Sequence, residues 1–316
     1  GVPAMTVLFT FPGQGSQSPG MLSRLPADAE VERSFAQARA VLGRDPLTLD
    51  SAQALQSTVA VQLALLIAGV ATARVLIARG AAPDMVAGMS VGAYPAAVIA
   101  GVLDYEDALR LVALRGRLME EAFPTGYGMT AVIGIDVSHL ARIVARVHSP
   151  AQPVFIANLN GEQQIIVAGA DAAMEAVARL ALGAGATRCE RLAVSVPSHC
   201  ELLAPVACEM KRAFAAVKPM RPRIPFLSSS AARALSNPVH IADDLAGNVA
   251  RCVNWGDTVK LAWERGARLA VEMPSREVLT GLTHAAFSEG LAVCCENNRL
   301  DTICVLIRRE RQGGRG

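Results

Sequence analysis

Val86-Ala87-Gly88-Met89-Ser90-Val91-Gly92-Ala93 is the stretch whose reading decides the fold. A short apolar strand runs into Gly-x-Ser-x-Gly and then into a helix, the pattern of a nucleophile elbow. At such a turn the serine backbone is strained, and a side chain two positions before or after Ser90 would clash, so both places are glycine. The helix that begins at the serine aims its first free N–H groups at whatever Ser90 attacks, where they stabilise a developing oxyanion. The competing reading is an ordinary strand-to-helix turn, because chains rich in alanine and glycine produce Gly-x-Ser-x-Gly by chance.

Working outward, Thr6 to Phe11 is β-prone and ends in Phe11-Pro12-Gly13-Gln14-Gly15-Ser16-Gln17. Such a loop lets backbone approach a ligand closely, and it lacks the Lys-Ser/Thr ending of a phosphate-binding P-loop. Residues 27–42 and 52–79 have helical periodicity, and Pro83-Asp84 turns the chain into the elbow strand. On the other side, Asp104 opens a helix to about Phe123, with Asp107 three residues on resembling a capping box. Its apolar stripe is Ala108, Leu111, Val112, Leu118 and Met119, and Arg115 lies on that same face. An inward guanidinium stays charged and needs an anion; periodicity leaves open whether a protein carboxylate, the commoner partner, or a substrate supplies it.

From residue 129 the organisation changes to strand, helix, two strands around Asn160-Gly161, helix and strand, ending at Leu192. That is a βαββαβ order, the ferredoxin-like pattern, and it reads as a small domain (129–192) inserted in a larger one (1–128 and 193–316). The larger domain resumes with Val196-Pro197-Ser198-His199-Cys200, which places His199 just ahead of a helix running from Glu201 to about Lys218. His139, His148, His240 and His284 have no comparable setting. A single helical stretch is expected from Ile241 to Glu264, with Asn248 inside it, and Pro274-Ser275 opens a helix from Arg276. The arginine-rich tail (Arg308, Arg309, Arg311, Arg315) reads as solvated.

Composition sets limits. The chain has 316 residues, 52% of them hydrophobic and 4% aromatic, enough for a large core of helices packed on a sheet. A net charge of +2 lacks the basic excess of a nucleic-acid binder. Seven scattered cysteines without a Cys-x-x-Cys pair read as reduced thiols in a cytoplasmic protein, with no metal site. No secretory leader is read at the N-terminus, and Gly1 to Ala4 read as an addition ahead of Met5. The run Val59 to Leu76 carries Gln62 and Arg74, so a buried core helix is expected rather than a membrane span.

Taken together, Phe11–Gln17, Gly88–Gly92, Arg115-Gly116-x-Leu118-Met119 and Val196–Cys200 resemble the malonyl-CoA:acyl carrier protein transacylases, in the same order and over nearly the whole chain. The resemblance extends to Ala100-Gly101-Val102-Leu103 and to Val278-Leu279-Thr280-Gly281-Leu282. It implies an α/β fold in which an α/β-hydrolase-like large domain carries the ferredoxin-like insertion. It further implies Ser90 as nucleophile, His199 as general base and then acid, the N–H groups of Gln14 and Val91 as oxyanion hole, and Arg115 as the grip on a malonyl carboxylate. Asn248 would orient the histidine through its backbone carbonyl, with Asp243 or Asp244 as possible substitutes. Malonyl-CoA would be a substrate and an acyl carrier protein the acceptor, without a tightly bound cofactor, nucleic acid or membrane.

Met89 and Ala93 stand where fatty-acid enzymes of the family usually have His and Glu, and Met273-Pro274-Ser275 stands for Gly-Pro-Gly. The Ser-Val-Gly-Ala version is similar to the transacylase subunit of bacterial malonate decarboxylase, so that carrier is expected, with the fatty-acid or polyketide enzyme as the alternative. A serine thioesterase or esterase and a non-catalytic subunit are the readings from other classes. Lys211, Arg212, Lys218, Arg221 and Arg223 form a basic run suited either to steering an acidic carrier or to plain solvation.

Overall fold

The computed structural model describes residues 6–313; Arg315 and Gly1–Ala4 lie outside the described residues. In chain order the elements are β1 (Val7–Phe11), α1 (Ala29–Leu42), α2 (Thr58–Ala78), β2 (Met85–Gly88), α3 (Ala93–Ile99) and α4 (Tyr105–Ala122). Then come β3 (Tyr127–Ile133), α5 (Val137–Val147), β4 (Val154–Gly161), β5 (Gln164–Ala170), α6 (Asp171–Gly183) and β6 (Arg188–Arg191). The rest is α7 (Ala204–Phe214), β7 (Phe226–Ser228), β8 (Arg233–Leu235), α8 (Pro238–Gly247), α9 (Trp255–Glu264), β9 (Leu269–Glu272), α10 (Val278–Thr283), β10 (Leu291–Cys294) and α11 (Leu300–Gly313).

A six-stranded sheet runs β10-β9-β1-β2-β7-β8, parallel except for β8 at its edge. Its central strands, β1 and β2, are buried along their whole length, which is why they read as continuous apolar runs rather than alternating ones. In open parallel sheets ligands bind beyond the carboxyl ends of the strands, and here those ends deliver the Phe11–Gln17 loop and the elbow side by side. The Met89 N–H donates to the Phe11 carbonyl at 3.0 Å and ties the two together.

The elbow is as tight as its glycines imply. Ser90 sits at φ 57°, in the left-handed region. A Cβ on Gly88 would lie 2.1 Å from the Gly92 carbonyl carbon, and one on Gly92 would lie 2.1 Å from the Phe11 carbonyl oxygen. Because that contact is with backbone, nothing flexible can yield. Gly92→Ala is expected to destabilise the protein by about 3 kcal/mol or more, read as a fall in the urea unfolding midpoint. An unchanged midpoint would show that the elbow is looser than described.

Helix α2 is the run with too little polarity for a surface helix. It is long and apolar enough to cross a membrane, yet 89% of its apolar window is buried inside the protein, where it packs against α1, α3 and α4. The approach of α4 is close because of Gly116, where a Cβ would stand 2.8 Å from Val59 Cα. That closeness sets Arg115, one residue earlier, against Gln62 of α2.

The second sheet has four strands in the antiparallel order β4-β5-β3-β6, and its elements fall between Tyr127 and Arg191 in the βαββαβ order expected. Leu140, Ile143, Val167 and Val177 are among the apolar side chains buried between this sheet and its helices. A smaller cluster, Met129, Ala157, Ala168 and Cys200, joins the small sheet to the segment just after His199.

Four expectations need correction. The stretch 241–264 is two helices, α8 and α9, separated by a short 3-10 turn at Asn248–Ala250 and an extended segment. The Asp104 side chain makes no capping hydrogen bond, and Asp107 pairs instead with Arg110 at 3.3 Å. The tail is the amphipathic helix α11: Arg308 and Arg309 are exposed as expected, but Ile303, Cys304 and Ile307 are buried, Arg308 donates to the Arg79 carbonyl at 2.9 Å and the half-buried Arg311 reaches the Ala82 carbonyl and Asp84. Charge density in the tail concealed that apolar stripe. Finally, two members of the basic run are matched within the chain, Lys211 by Asp243 at 2.8 Å and Arg212 by Glu209. All seven cysteines are unpaired thiols.

Candidate active site

Ser90, His199 and Gln14 line one pocket of about 260 Å³ at the junction of the two sheets, with Met119, Asn158 and Leu279 in its walls. Arg115 lies just beneath, fully buried. Its Nη2 donates to Ser90 Oγ at 3.2 Å and to Asn248 Oδ1 at 3.0 Å, while Nη1 donates to Gln62 Oε1 at 2.9 Å and rests against Met119 Sδ at 3.4 Å. The Tyr94 ring faces the guanidinium at 5.9 Å, and the Tyr94 hydroxyl is held by the Leu245 carbonyl at 2.9 Å.

Every one of those partners is neutral. The protein carboxylate that would commonly pair a buried arginine is not among them, and Arg115 Nε has no acceptor among the described residues. Burial pulls the guanidinium pKa down, yet an arginine remains a cation at neutral pH. A buried cation without its anion is costly, by several kcal/mol in comparable cases. The guanidinium therefore has no counter-ion among the described residues.

His199 is also buried and takes φ 64°. Its N–H donates to the Val249 carbonyl at 2.7 Å, and its Nδ1 lies 2.9 Å from the Asn248 carbonyl. A carbonyl only accepts, so Nδ1 carries the proton and Nε2 is left with its lone pair. Burial drives the imidazole pKa down to about 4; the bond to the Asn248 carbonyl opposes this and the charge of Arg115 adds to it. The ring is thus a neutral acceptor at physiological pH. No hydrogen bond links it to Ser90 among the described residues, where Ser90 Oγ is instead engaged by Arg115.

The break between α8 and α9 explains how Asn248 serves. Within a continuous helix its carbonyl would be committed to the residue four places on, but at the 3-10 turn it also receives His199. Its side chain bridges the remaining parts: Oδ1 accepts from Arg115 and Nδ2 donates to the Ser90 carbonyl at 3.0 Å. Neither aspartate offered as a substitute does this work. Asp243 pairs with Lys211 and Arg251, and Asp244 accepts from Ser228 Oγ at 2.7 Å. Gln14 lines the pocket beside Ser90, and Val91 follows Ser90 in the short turn Ser90–Gly92.

A buried neutral imidazole and a serine hydroxyl on a tight elbow thus share one pocket. Residues 8–312 match the family model described as the acyl transferase domain. The chain belongs to that acyltransferase family. It is similar to the malonyl CoA-acyl carrier protein transacylase of Escherichia coli (strain K12), 39% identical over 281 residues, which cover 87% of this chain and 91% of the relative. Among solved structures it resembles an acyl carrier protein S-malonyltransferase from Vibrio cholerae, with a TM-score of 0.89 and 36% identity over 94% of this chain and 99% of that one. It equally resembles a malonyl-transacylase solved in complex with a type II polyketide-synthase acyl carrier protein, with a TM-score of 0.89 and 36% identity over 95% and 99% of the two chains. These matches make the fold a mixed α/β fold of the transacylase type.

Several residues in or beneath this acyltransferase's pocket escape a reading by motif. Gln62 left a trace, as an amide in an otherwise apolar helix. Tyr94 and Asn158 left none, because each acquires its contact only when distant segments meet.

Proposed function

We propose that this acyltransferase moves a malonyl group from CoA to the prosthetic-group thiol of an acyl carrier protein, by way of a malonyl ester on Ser90. The observation that carries the reading is the buried Arg115 guanidinium beside Ser90, matched by no carboxylate among the described residues. A malonyl thioester presents a carboxylate one methylene from the carbonyl that Ser90 attacks, and a bidentate pair with Arg115 supplies the missing anion.

In this mechanism Ser90 Oγ attacks the thioester carbonyl and passes its proton to His199 Nε2. The oxyanion is held by the N–H groups of Gln14 and Val91, the C–S bond breaks, and the departing thiolate takes the proton from His199. The carrier thiol then reverses the sequence. Asn248 acts as the histidine-orienting residue, through its carbonyl. We further read the larger sheet as α/β-hydrolase-like, the smaller as ferredoxin-like, and the enzyme as cytoplasmic, in keeping with its seven unpaired thiols.

The carrier expected from Met89 and Ala93 is revised. The named relatives act on acyl carrier protein, which favours a carrier of fatty-acid or polyketide synthesis over that of malonate decarboxylase. Both substitutions have a packing reason: Met89 joins an apolar cluster with Leu8 and Met85, and Ala93 is buried in the main core.

Intact-protein mass spectrometry after mixing with malonyl-CoA or acetyl-CoA tests the proposal. A malonyl-sized increment from malonyl-CoA alone is expected. No increment, together with steady release of free malonate regardless of carrier, would make the protein a hydrolase instead.

The histidine makes a separate prediction. A base whose pKa is depressed to about 4 is deprotonated and competent above that value, and loses competence as pH falls through it. The acidic limb of kcat/KM for malonyl-CoA, which reports the free enzyme, is expected near pH 4 to 5, where an ordinary histidine would place it near 6.5. A limb at 6.5 would mean that His199 is solvated in solution.

A further inference from the structure

A buried carboxylate with no cation beside it among the described residues anchors one wall of the pocket. Glu272, the last residue of β9, is 1% exposed. Its Oε2 accepts from the Leu279 N–H at 3.0 Å, and its Oε1 accepts from the Thr280 N–H and the Thr280 hydroxyl, both at 2.8 Å. Three donors converge on it. The ionised carboxylate satisfies them all, whereas the protonated acid must turn its own O–H against a donor and loses a bond. Leu279 and its neighbour Val278 line the same cavity as Ser90 and His199.

The segment between Glu272 and that wall needs holding. It carries Arg276 at φ 62°, in the left-handed region that a residue with a side chain enters at a cost. Its middle is tied to the loop beside the elbow, where Ser275 Oγ and Ser18 Oγ stand 2.6 Å apart, and Glu272 ties its far end. The elements packed around the carboxylate bring nothing positive to it. β1 sets Thr10 in register with it, β10 sets Cys294 opposite and is followed by Cys295, whose N–H donates to the Glu272 carbonyl at 2.9 Å, and the buried face of α11 is Ile303, Cys304 and Ile307. Arg276, Glu277 and His284, the charged or titratable residues that flank α10, are exposed. Burial pushes the Glu272 carboxyl pKa up to about 7, with the bonds to Thr280 and Leu279 opposing the rise and the charge of Glu277 adding to it.

We infer that Glu272 is a positioning residue of acyl transfer, whose carboxylate holds Val278 and Leu279 in the wall of the pocket and whose protonation lets that wall loosen. The inference rests on the malonyl-transfer reading and adds to it a control of donor binding by pH. Ser90, His199, Arg115 and Asn248 are hydrogen-bonded among themselves, and none of those bonds runs through this wall. Loosening it therefore weakens the hold on the donor without disarranging the reacting groups, so the effect falls on binding and not on the chemical step. Above about pH 7 Glu272 is ionised and the wall is held; as pH falls through that value the carboxylate takes up a proton and a bond to α10 is lost. His199, with its pKa down at about 4, stays neutral over this range. The result is a partial step in kcat/KM near pH 7, followed by a plateau ahead of the limb that His199 sets.

The test is single-turnover acylation of Ser90 at pH 8 and pH 6, in the unaltered protein and in Glu272→Gln, which cannot ionise. The donor is malonyl-N-acetylcysteamine, because the phosphate monoester of CoA itself titrates near pH 6. In the unaltered protein the half-saturating donor concentration is expected to rise about 5- to 10-fold from pH 8 to pH 6, and in Glu272→Gln to have the higher value at both. The rate at saturation should change less than about twofold throughout. A half-saturation that ignores pH in the unaltered protein, or a pH dependence that survives in Glu272→Gln, overturns the inference. So does a variant that loses only rate at saturation, since Glu272 would then merely support the fold. Should Glu272→Gln fail to fold, hydrogen exchange of the unaltered protein decides: the Leu279 and Thr280 amides, corrected for the intrinsic effect of pH, are expected to lose protection from pH 8 to pH 6, and constant protection overturns the inference. No acylation of Ser90 at either pH removes the malonyl reading and this inference with it, whereas acylation that is indifferent to pH removes the inference alone.

Discussion

Ser90→Ala is expected to yield no malonyl adduct and to lower malonyl transfer by about 10⁴-fold or more. The size follows from what is lost: the covalent intermediate itself, and with it the division of one hard step into two. The substitution is clean because alanine keeps a Cβ in the same left-handed conformation, where Ser90 sits at φ 57°, so the backbone strain of the elbow, about 1–2 kcal/mol, is unchanged. One hydrogen bond from Arg115 disappears, worth about 1 kcal/mol. The thermal midpoint should therefore move by only a few degrees while activity vanishes. A malonyl adduct that persists in Ser90→Ala would place the nucleophile elsewhere and remove the proposed mechanism.

Arg115→Ala is expected to lower kcat/KM for malonyl-CoA by about 10³-fold and to abolish the preference for malonyl over acetyl. A factor of 10³ is about 4 kcal/mol, which is the range for breaking a buried, hydrogen-bonded charge pair. The loss should fall on malonyl alone, because an acetyl group has no carboxylate for the guanidinium to hold. Arg115→Lys keeps the charge but not the planar fork, and should retain part of the preference. Comparison of the two donors in single-turnover acylation decides it. Equal losses on malonyl and acetyl would mean that Arg115 only supports the elbow, through its contacts with Ser90 and Asn248.

Much of this site was legible because its parts are local. Gly88 and Gly92 announce the tight turn, and the 3.6-residue period of α4 turns Arg115 inward with Ala108, Leu111 and Val112. The βαββαβ order between Tyr127 and Arg191 follows from alternating strand and helix periods separated by glycine and asparagine turns. What periodicity missed is equally specific. Residues 241–264 look helical throughout, yet the chain breaks at Asn248, where the turn's carbonyl is engaged by His199, a residue 49 positions away. The arginines of α11 read as solvated because their charge is conspicuous, while three buried side chains on the opposite face hold the helix down.

The sequence by itself determined the elbow, the loop beside it, the inward face of Arg115 and the order of elements in the smaller sheet, since each depends on steric limits and spacing within a few residues. Only the tertiary structure decided whether that arginine is neutralised. Its partners come from 25, 53 and 133 residues away, and all of them are uncharged. Periodicity reports which way a side chain points; what another segment brings to meet it depends on how helices and sheets close on one another. Here α2, the elbow and the Asn248 turn close around Arg115 without a carboxylate, and the unmet charge is what the proposed substrate answers.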